Sequence, residues 1–376
     1  MKPEQLAPVP AEWRAARRLL AVRLDNLGDV LVTSPALRAI KETLPEAELT
    51  LLASPVGAQA GRLVPGVSRA LVYQAPWVDP WQRLPFDPAR ERRALAMLRA
   101  RAYDGAIIFT SFRQSPLPAA YLCYLAGIPL RHGATWDGAG SLLTTRHRPS
   151  EATMHEAERH LETAGALGLR AASDRLALAV PPPARARVRA RLNAMGPVGG
   201  PLVVLHPGCS MPARTYPWQS FAEAADLLVE ALGARVLLTG SAEEAPLIEQ
   251  VRAHMRRPAV PLAGALPFAE LCALVETADL VVTNNTGPMH IAAALQTPVV
   301  ALFALTNPPE QWGPWRVPHR LLFHDVPCRI CYSRVCPTDH ACLRMVSPTA
   351  ILRAAADLLT APLARRRHEL LEERHV

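Results

Sequence analysis

The sequence predicts a doubly wound α/β fold built twice along one chain. Short apolar runs alternate with helical patterns over most of its length. A proline- and glycine-rich break interrupts this rhythm near the middle, after which it restarts. The chain has 376 residues, half of them hydrophobic, which is long for one domain and ample for two cores.

LLAVRL (19–24), LTLLAS (49–54), ALVYQA (70–75) and GAIIFTS (105–111) read as strands bounded by turn signals. Between them ALRAIKETLP and the Arg/Ala-rich stretch 88–102 are helical in period. The stretch 151–168 reads as a helix ending at Gly168. Such alternation implies a parallel sheet covered on both faces. PPPARARVRARLNAMGPVGGP (181–201) holds three prolines, a short basic helix and a Gly/Pro cluster, and is the best linker candidate.

Beyond it, strands at 201–208, 234–240, 259–264, 280–285 and 298–304 alternate with helices. These include WQSFAEAADLLVEALG, ending on Gly233, and PMHIAAALQ. The expected division is a Rossmann-like domain over 1–180, a linker over 181–200 and a second such domain over 201–346. A helix and charged tail follow over 347–376. Ligands of these sheets bind beyond the carboxyl ends of the strands, so a cleft between two facing halves is the expected site.

Formal net charge is +8, and of 41 basic residues only Lys2 and Lys41 are lysine. This Arg/Ala bias looks more like a GC-rich coding habit than a binding signal. The charge suits phosphate-bearing or anionic-membrane partners. No basic block is interleaved with aromatics, which argues against nucleic acid. MKPEQLAPVPAEWRAARR has no apolar core and no cleavage pattern, and no stretch reaches a membrane span. The expectation is a cytoplasmic protein whose seven cysteines are not a disulfide scaffold.

In RLLAVRLDNLGDVLVTSPALRAI (18–40) an acid, Asp29, follows Gly28 where a strand hands over to a helix. There it is either a cap worth about 1 kcal/mol or a general base for an attacking hydroxyl. Asp25 competes with it. In VVTNNTGPMHIAAAL (281–295), Asn284, Asn285 and Thr286 are cap-type residues, Gly287 is permissive and Pro288 suits the first helical turn. The free N–H groups there suit a pyrophosphate. His290 is either a phosphate contact or a packed core histidine.

His206 ends a strand before a loop carrying Arg214. That guanidinium suits a diphosphate leaving group, or is simply a surface arginine. Gly240 ends another strand before Glu243 and Glu244. These are candidates for ribose hydroxyls or merely acids opening a helix.

Taken together, Arg23-Leu24-Asp25-Asn26-Leu27-Gly28-Asp29 with Ser34-Pro35-Ala36-Leu37, HPG…ARTYPW, the Thr-Gly-Ser turn with its acids, and NNTGPMHIAAAL…PVVALF resemble the signatures of glycosyltransferase family 9. This is the heptosyltransferase family of lipopolysaccharide core assembly. The resemblance spans about 18–358. It implies a GT-B fold and inverting, metal-independent transfer from a nucleotide-sugar, typically an ADP-heptose, to a lipid-linked glycan acceptor. Contact with the inner face of the membrane follows from such an acceptor. It places Asp29 on the catalytic base, with Asn26 and Gly28 in the acceptor-side loop. Arg214 falls on the diphosphate contact, Thr286 and Gly287 on the phosphate loop, and Glu243 or Glu244 near the ribose. Asn285 stands where the family usually has an Asp associated with donor sugar hydroxyls.

The alternatives are a non-catalytic nucleotide-sugar-binding protein, a transferase using another nucleotide-sugar, and a GT-B epimerase. The loops 76–90 and 112–150 do not name an acceptor. Trp77, Trp81 and Trp136 either line an acceptor groove or pack against the first domain. Finally, Cys328, Cys331, Cys336 and Cys342 have the C-x2-C-x4-C-x5-C spacing of four thiols around one structural zinc or iron ion. The alternative is a set of buried or loosely placed thiols.

Overall fold

The structure, a computed structural model, describes residues 8–79, 81, 83–197 and 199–360. The charged tail, and the start of the segment read as free of a leader, lie outside the described residues. The chain divides into two compact units between Ala179 and Val180.

The first unit runs α1 (Ala11–Ala15), β1 (Arg18–Arg23), α2 (Leu27–Thr43), β2 (Glu48–Ala53), α3 (Gly57–Gly61), β3 (Arg69–Val72), α4 (Pro88–Arg99), β4 (Gly105–Ile108), α5 (Leu117–Leu125), β5 (Leu130–Ala134), β6 (Thr145–His147) and α6 (Glu156–Gly165). The second runs α7 (Pro182–Ala194), β7 (Leu202–His206), α8 (Trp218–Leu232), β8 (Arg235–Leu238), α9 (Ala245–His254), β9 (Val260–Pro261), α10 (Phe268–Thr277), β10 (Leu280–Asn284), α11 (Gly287–Leu295), β11 (Val299–Leu302), α12 (Pro309–Trp312), β12 (His319–Leu322), α13 (Ala341–Arg344) and α14 (Pro348–Thr360).

Among the described residues each unit holds one six-stranded sheet. The orders are β3-β2-β1-β4-β5-β6 and β12-β11-β10-β7-β8-β9. Every ladder is parallel. Counted from β7, the second order repeats the first. Each is the Rossmann order, with its switch point between β1 and β4 in one unit and between β7 and β10 in the other. The central strands are buried on both faces, which is why they read as unbroken apolar runs rather than alternating ones.

Three strands escape that reading: β5, β6 and β12. Their sequences, LRHGA, TRH and HRLL, are short and carry charge or ring nitrogens. Tertiary partners make them strands. His132 bonds the carbonyls of Thr145 (3.1 Å) and Thr163 (2.9 Å), and burial pushes its imidazole down to about 4. The guanidinium of Arg131 donates to the carbonyls of Pro129 (2.9 Å) and Ser141 (2.8 Å).

Helix α2 is buried along most of its length and contains Pro35, which cannot bond the Leu31 carbonyl. The Ser34 hydroxyl takes that carbonyl instead (2.6 Å) and accepts the Ala177 N–H (3.0 Å). The stretch read as a linker is folded over 182–194. Arg185 makes a two-pronged pair with Glu276 (2.6 and 2.8 Å), and Arg187 pairs with Glu270 (2.5 Å), so α7 is tied to α10. Among the described residues no helix is long and apolar enough to cross a membrane.

Candidate functional site

Both switch points carry the polar residues that the sequence singles out. In the first unit β1 ends on Arg23, whose side chain is fully buried. Its guanidinium donates to Asp29 Oδ1 (2.9 Å) and to the Ser111 hydroxyl (2.8 Å), and pairs with Asp25 Oδ2 (3.1 Å). Asn26 is the N-cap of α2. Its N–H donates to Asp29 Oδ2 (2.9 Å), the acidic half of a capping box. Gly28 lies in the first turn between them. Asp29 therefore does cap its helix, yet its side chain keeps 15 % exposure. Cap and base are compatible roles here, because each carboxylate oxygen has a second lone pair.

Beside this pair lies a layer of buried titratable side chains that sequence reasoning missed. Glu156, at the start of α6, is fully buried. Its Oε2 accepts the Phe112 N–H (3.2 Å) and its Oε1 stands 3.4 Å from Arg159 Nε. Burial pushes its carboxyl up to about 7, against the pull of Arg23 and Arg159. His160, one helical turn on, is held neutral by burial and meets the Thr33 hydroxyl (3.1 Å).

In the second unit the loops after β7 and β10 are tied together. Asn284 accepts the Tyr216 N–H (3.0 Å) and donates to the Pro207 carbonyl (2.8 Å). Arg214 lies in a short 3₁₀ turn, and its Nε donates to the Thr306 hydroxyl (2.9 Å). Thr306 meets Asn307 Oδ1 (3.3 Å), which in turn takes Asn285 Nδ2 (3.4 Å). Asn285 Oδ1 accepts the Ala304 N–H (3.1 Å). Its amide is thus buried and turned inward. An Asp there would face two acceptors, the Ala304 carbonyl (3.5 Å) and Asn307 Oδ1.

Thr286 is the N-cap of α11, with Gly287 its first residue and His290 buried in its first turns. Burial pushes the Cys209 thiol up. That thiol bonds the Thr286 side chain and lies in the field of Arg214, which draws these two loops to one place.

The two acids after β8 separate. Glu243 is exposed, whereas Glu244 is half-buried and accepts the Ser241 N–H (2.7 Å). Glu244 also lies 3.8 Å from His206 Nε2, while His206 Nδ1 meets the Thr239 hydroxyl (3.1 Å). Burial lowers the His206 imidazole, with Glu244 pulling the other way. A Cβ at Gly208 would sit 2.0 Å from Glu244 Oε1, so only glycine lets this carboxylate approach the loop. Gly240 flanks the same side chain.

The four clustered thiols are the right donors for zinc or iron, and Cys342 feels the other three. Among the described residues no group of three or more His, Cys, Asp or Glu side chains is arranged to hold a metal ion. Cys342 is buried in the core and Cys328 packs against the same core, while Cys328 and Cys336 both lie against the Thr338 hydroxyl. What the segment does is brace the Arg214 turn. Ala213 N–H donates to the Arg334 carbonyl (2.9 Å), His340 Nε2 meets the Pro212 carbonyl (2.9 Å), and Tyr332 N–H donates to Thr306 (2.8 Å).

Comparison with known proteins follows these motifs. The family model described as glycosyltransferase family 9 (heptosyltransferase) matches residues 92–342. Lipopolysaccharide heptosyltransferase 3 of Escherichia coli K12 is 27% identical over 293 residues, covering 77% of this chain and 82% of that protein. Lipooligosaccharide heptosyltransferase 2 of Haemophilus influenzae Rd is 36% identical over 113 residues, 29% of this chain and 32% of that one. The solved structure of E. coli ADP-heptose lipopolysaccharide heptosyltransferase II superposes with a TM-score of 0.72 at 22% identity, covering 91% of this chain and 98% of that one. That likeness shows the fold, which is GT-B.

Proposed function

Because the chain belongs to glycosyltransferase family 9, we propose that it moves a heptose or related sugar from an ADP-sugar to a lipopolysaccharide-core-type acceptor with inversion. The observation that carries this reading is the Asp29 carboxylate. It stands at a Rossmann switch point, positioned through both oxygens and still open to solvent. In the reaction the acceptor hydroxyl passes its proton to Asp29 as its oxygen bonds the anomeric carbon from the face opposite the diphosphate. The bond from that carbon to the diphosphate oxygen breaks, and both electrons leave with ADP. Arg214 and the N–H groups that open α11 take up the charge on the departing diphosphate. Glu244, rather than Glu243, suits the ribose hydroxyls, since it is the acid held against the loop after β7. No metal enters this scheme. A lipid-linked acceptor made on the cytoplasmic face would place the enzyme in the cytoplasm, at the membrane surface.

Thermal-shift binding of ADP, UDP, GDP, CMP and ADP-heptose, on the wild type and on Asp29→Asn, tests it. Stabilisation by ADP and ADP-heptose alone supports the donor, and UDP or GDP in their place overturns it. Asp29→Asn should cut turnover by about 10²–10⁴-fold with the ADP shift retained. Loss of the ADP shift would make Asp29 a structural cap only.

A further inference from the structure

The first unit contains a cavity of about 140 Å³ at the carboxyl ends of β1 and β4. Its polar wall is Asp25, Thr110, Gln114 and Ser115; Trp77 and Val78 stand on its apolar side. Drug-sized ligands fill pockets from about 300 Å³ upward, so this one suits a single small ring.

The polar wall is preorganised. Gln114 Nε2 donates to Asp25 Oδ1 (2.7 Å), and Gln114 Oε1 accepts the Ser111 N–H (3.0 Å). The Ser111 hydroxyl and Asp25 Oδ2 both meet Arg23, which also holds Asp29. Arg23, Ser111, Gln114 and Asp25 thus form a closed ring of polar contacts, and Asp29 hangs from the same guanidinium.

The apolar side is equally fixed. The Trp77 ring is 37 % exposed and leans on Tyr73, centroids 5.7 Å apart, and the Tyr73 hydroxyl bonds Glu91 (2.5 Å). An indole, a carboxylate and an amide lining one small cavity match a sugar, with C–H groups on one face and hydroxyls at the rim. The described lining contains one carboxylate and no cation, and Arg23 is spent on its own partners. An anionic ring would bring like charges together in a confined site.

We infer that this cavity seats a neutral pyranose ring of the acceptor, stacked on Trp77 and bonded to Asp25 and Gln114. The acceptor unit next to the reacting hydroxyl is then an uncharged sugar rather than a sugar acid. The inference rests on the transferase reading and names the acceptor side of it. Neither of the other two tryptophans lines this cavity. Trp136 instead carries the Arg148 guanidinium over its ring, 5.7 Å from the centroid.

The test is saturation-transfer NMR on the full chain, with methyl α-mannopyranoside and the matching methyl mannuronide as probes. The neutral glycoside should bind, and the uronide should bind at least about tenfold more weakly. Trp77→Ala should weaken the neutral probe by about tenfold, and Asp25→Asn should bring the two probes closer together. Equal or tighter binding of the uronide overturns the inference, as does unchanged binding by Trp77→Ala, an exposed position where truncation leaves the fold standing. ADP thermal shift on the same samples separates the two claims. An ADP shift without glycoside signal sinks the acceptor site alone. Glycoside binding without an ADP shift sinks the transferase reading and leaves a sugar site.

Discussion

Arg23 stands in the field of three carboxyl groups, Asp25, Asp29 and Glu156, which hold its charge against the cost of burial. Two of them are its ion-pair partners. The third, Glu156, is the one that burial pushes up to about 7. The native chain therefore keeps a proton on Glu156 that the unfolded chain has released. The stability it contributes is complete below about pH 4.5 and is lost as pH rises to about 7, on the order of 3 kcal/mol in all. His132 and His160, lowered by burial, tilt the curve the other way below about pH 6.5. The difference between wild type and Glu156→Gln isolates the carboxyl. Urea midpoints measured from pH 4.5 to 8 should fall more steeply for the wild type, and parallel curves would remove Glu156 from the account. At Asn285 the inward amide predicts that Asn285→Asp costs about 1–3 kcal/mol without tightening ADP-sugar binding. Tighter binding at unchanged stability would make residue 285 a sugar contact. Asp29 was legible because an acid directly after a glycine, where a strand hands over to a helix, is a local mark. Glu156 and Gln114 leave none, since Phe112 and Asp25, which hold them, lie 44 and 89 positions away in the chain.

Elements show the same contrast between local and distant causes. Strands β1, β7 and β10 announce themselves by continuous apolarity, and α8 by its period and by Gly233, which ends it at φ 64° in the left-handed region. The segment 327–343 did not announce its use. Its cysteine spacing points to a metal, while its backbone and His340 hold the turn that carries Arg214. Loss of one such hydrogen bond is worth about 1 kcal/mol. His340→Ala should therefore raise the KM for the ADP-sugar by about fivefold, with kcat changed less and the Tm nearly kept. An unchanged KM would show that the Arg214 turn stands without this brace.

At the scale of the whole molecule, one architecture is used twice. Each unit places its polar residues where the strand order reverses, because there adjacent loops diverge and leave backbone N–H groups and side chains unpaired by the sheet. The chain as a whole carries a net charge of +8, almost all of its cations being arginine. An acceptor embedded in an anionic surface would be reached more readily by such a protein. Co-sedimentation with vesicles containing phosphatidylglycerol should exceed that with neutral vesicles and collapse when the salt is raised to about 0.5 M. Equal binding to both kinds of vesicle would rule out this electrostatic contribution.

By itself the sequence determined the class of fold and the family, and it named Asp29 and the loops after β7, β8 and β10 as candidates. Apolar period, capping residues and glycines act over a few residues and can be read from them. Only the tertiary structure decided that Glu244 rather than Glu243 faces His206, that Asn285 points inward, and that Arg23 ties Asp29 to Asp25 and Gln114. It also decided that β5, β6 and β12 are strands. These outcomes depend on which distant groups satisfy a buried charge or a hydrogen bond, and that pairing exists only once the sheet has brought the loops together.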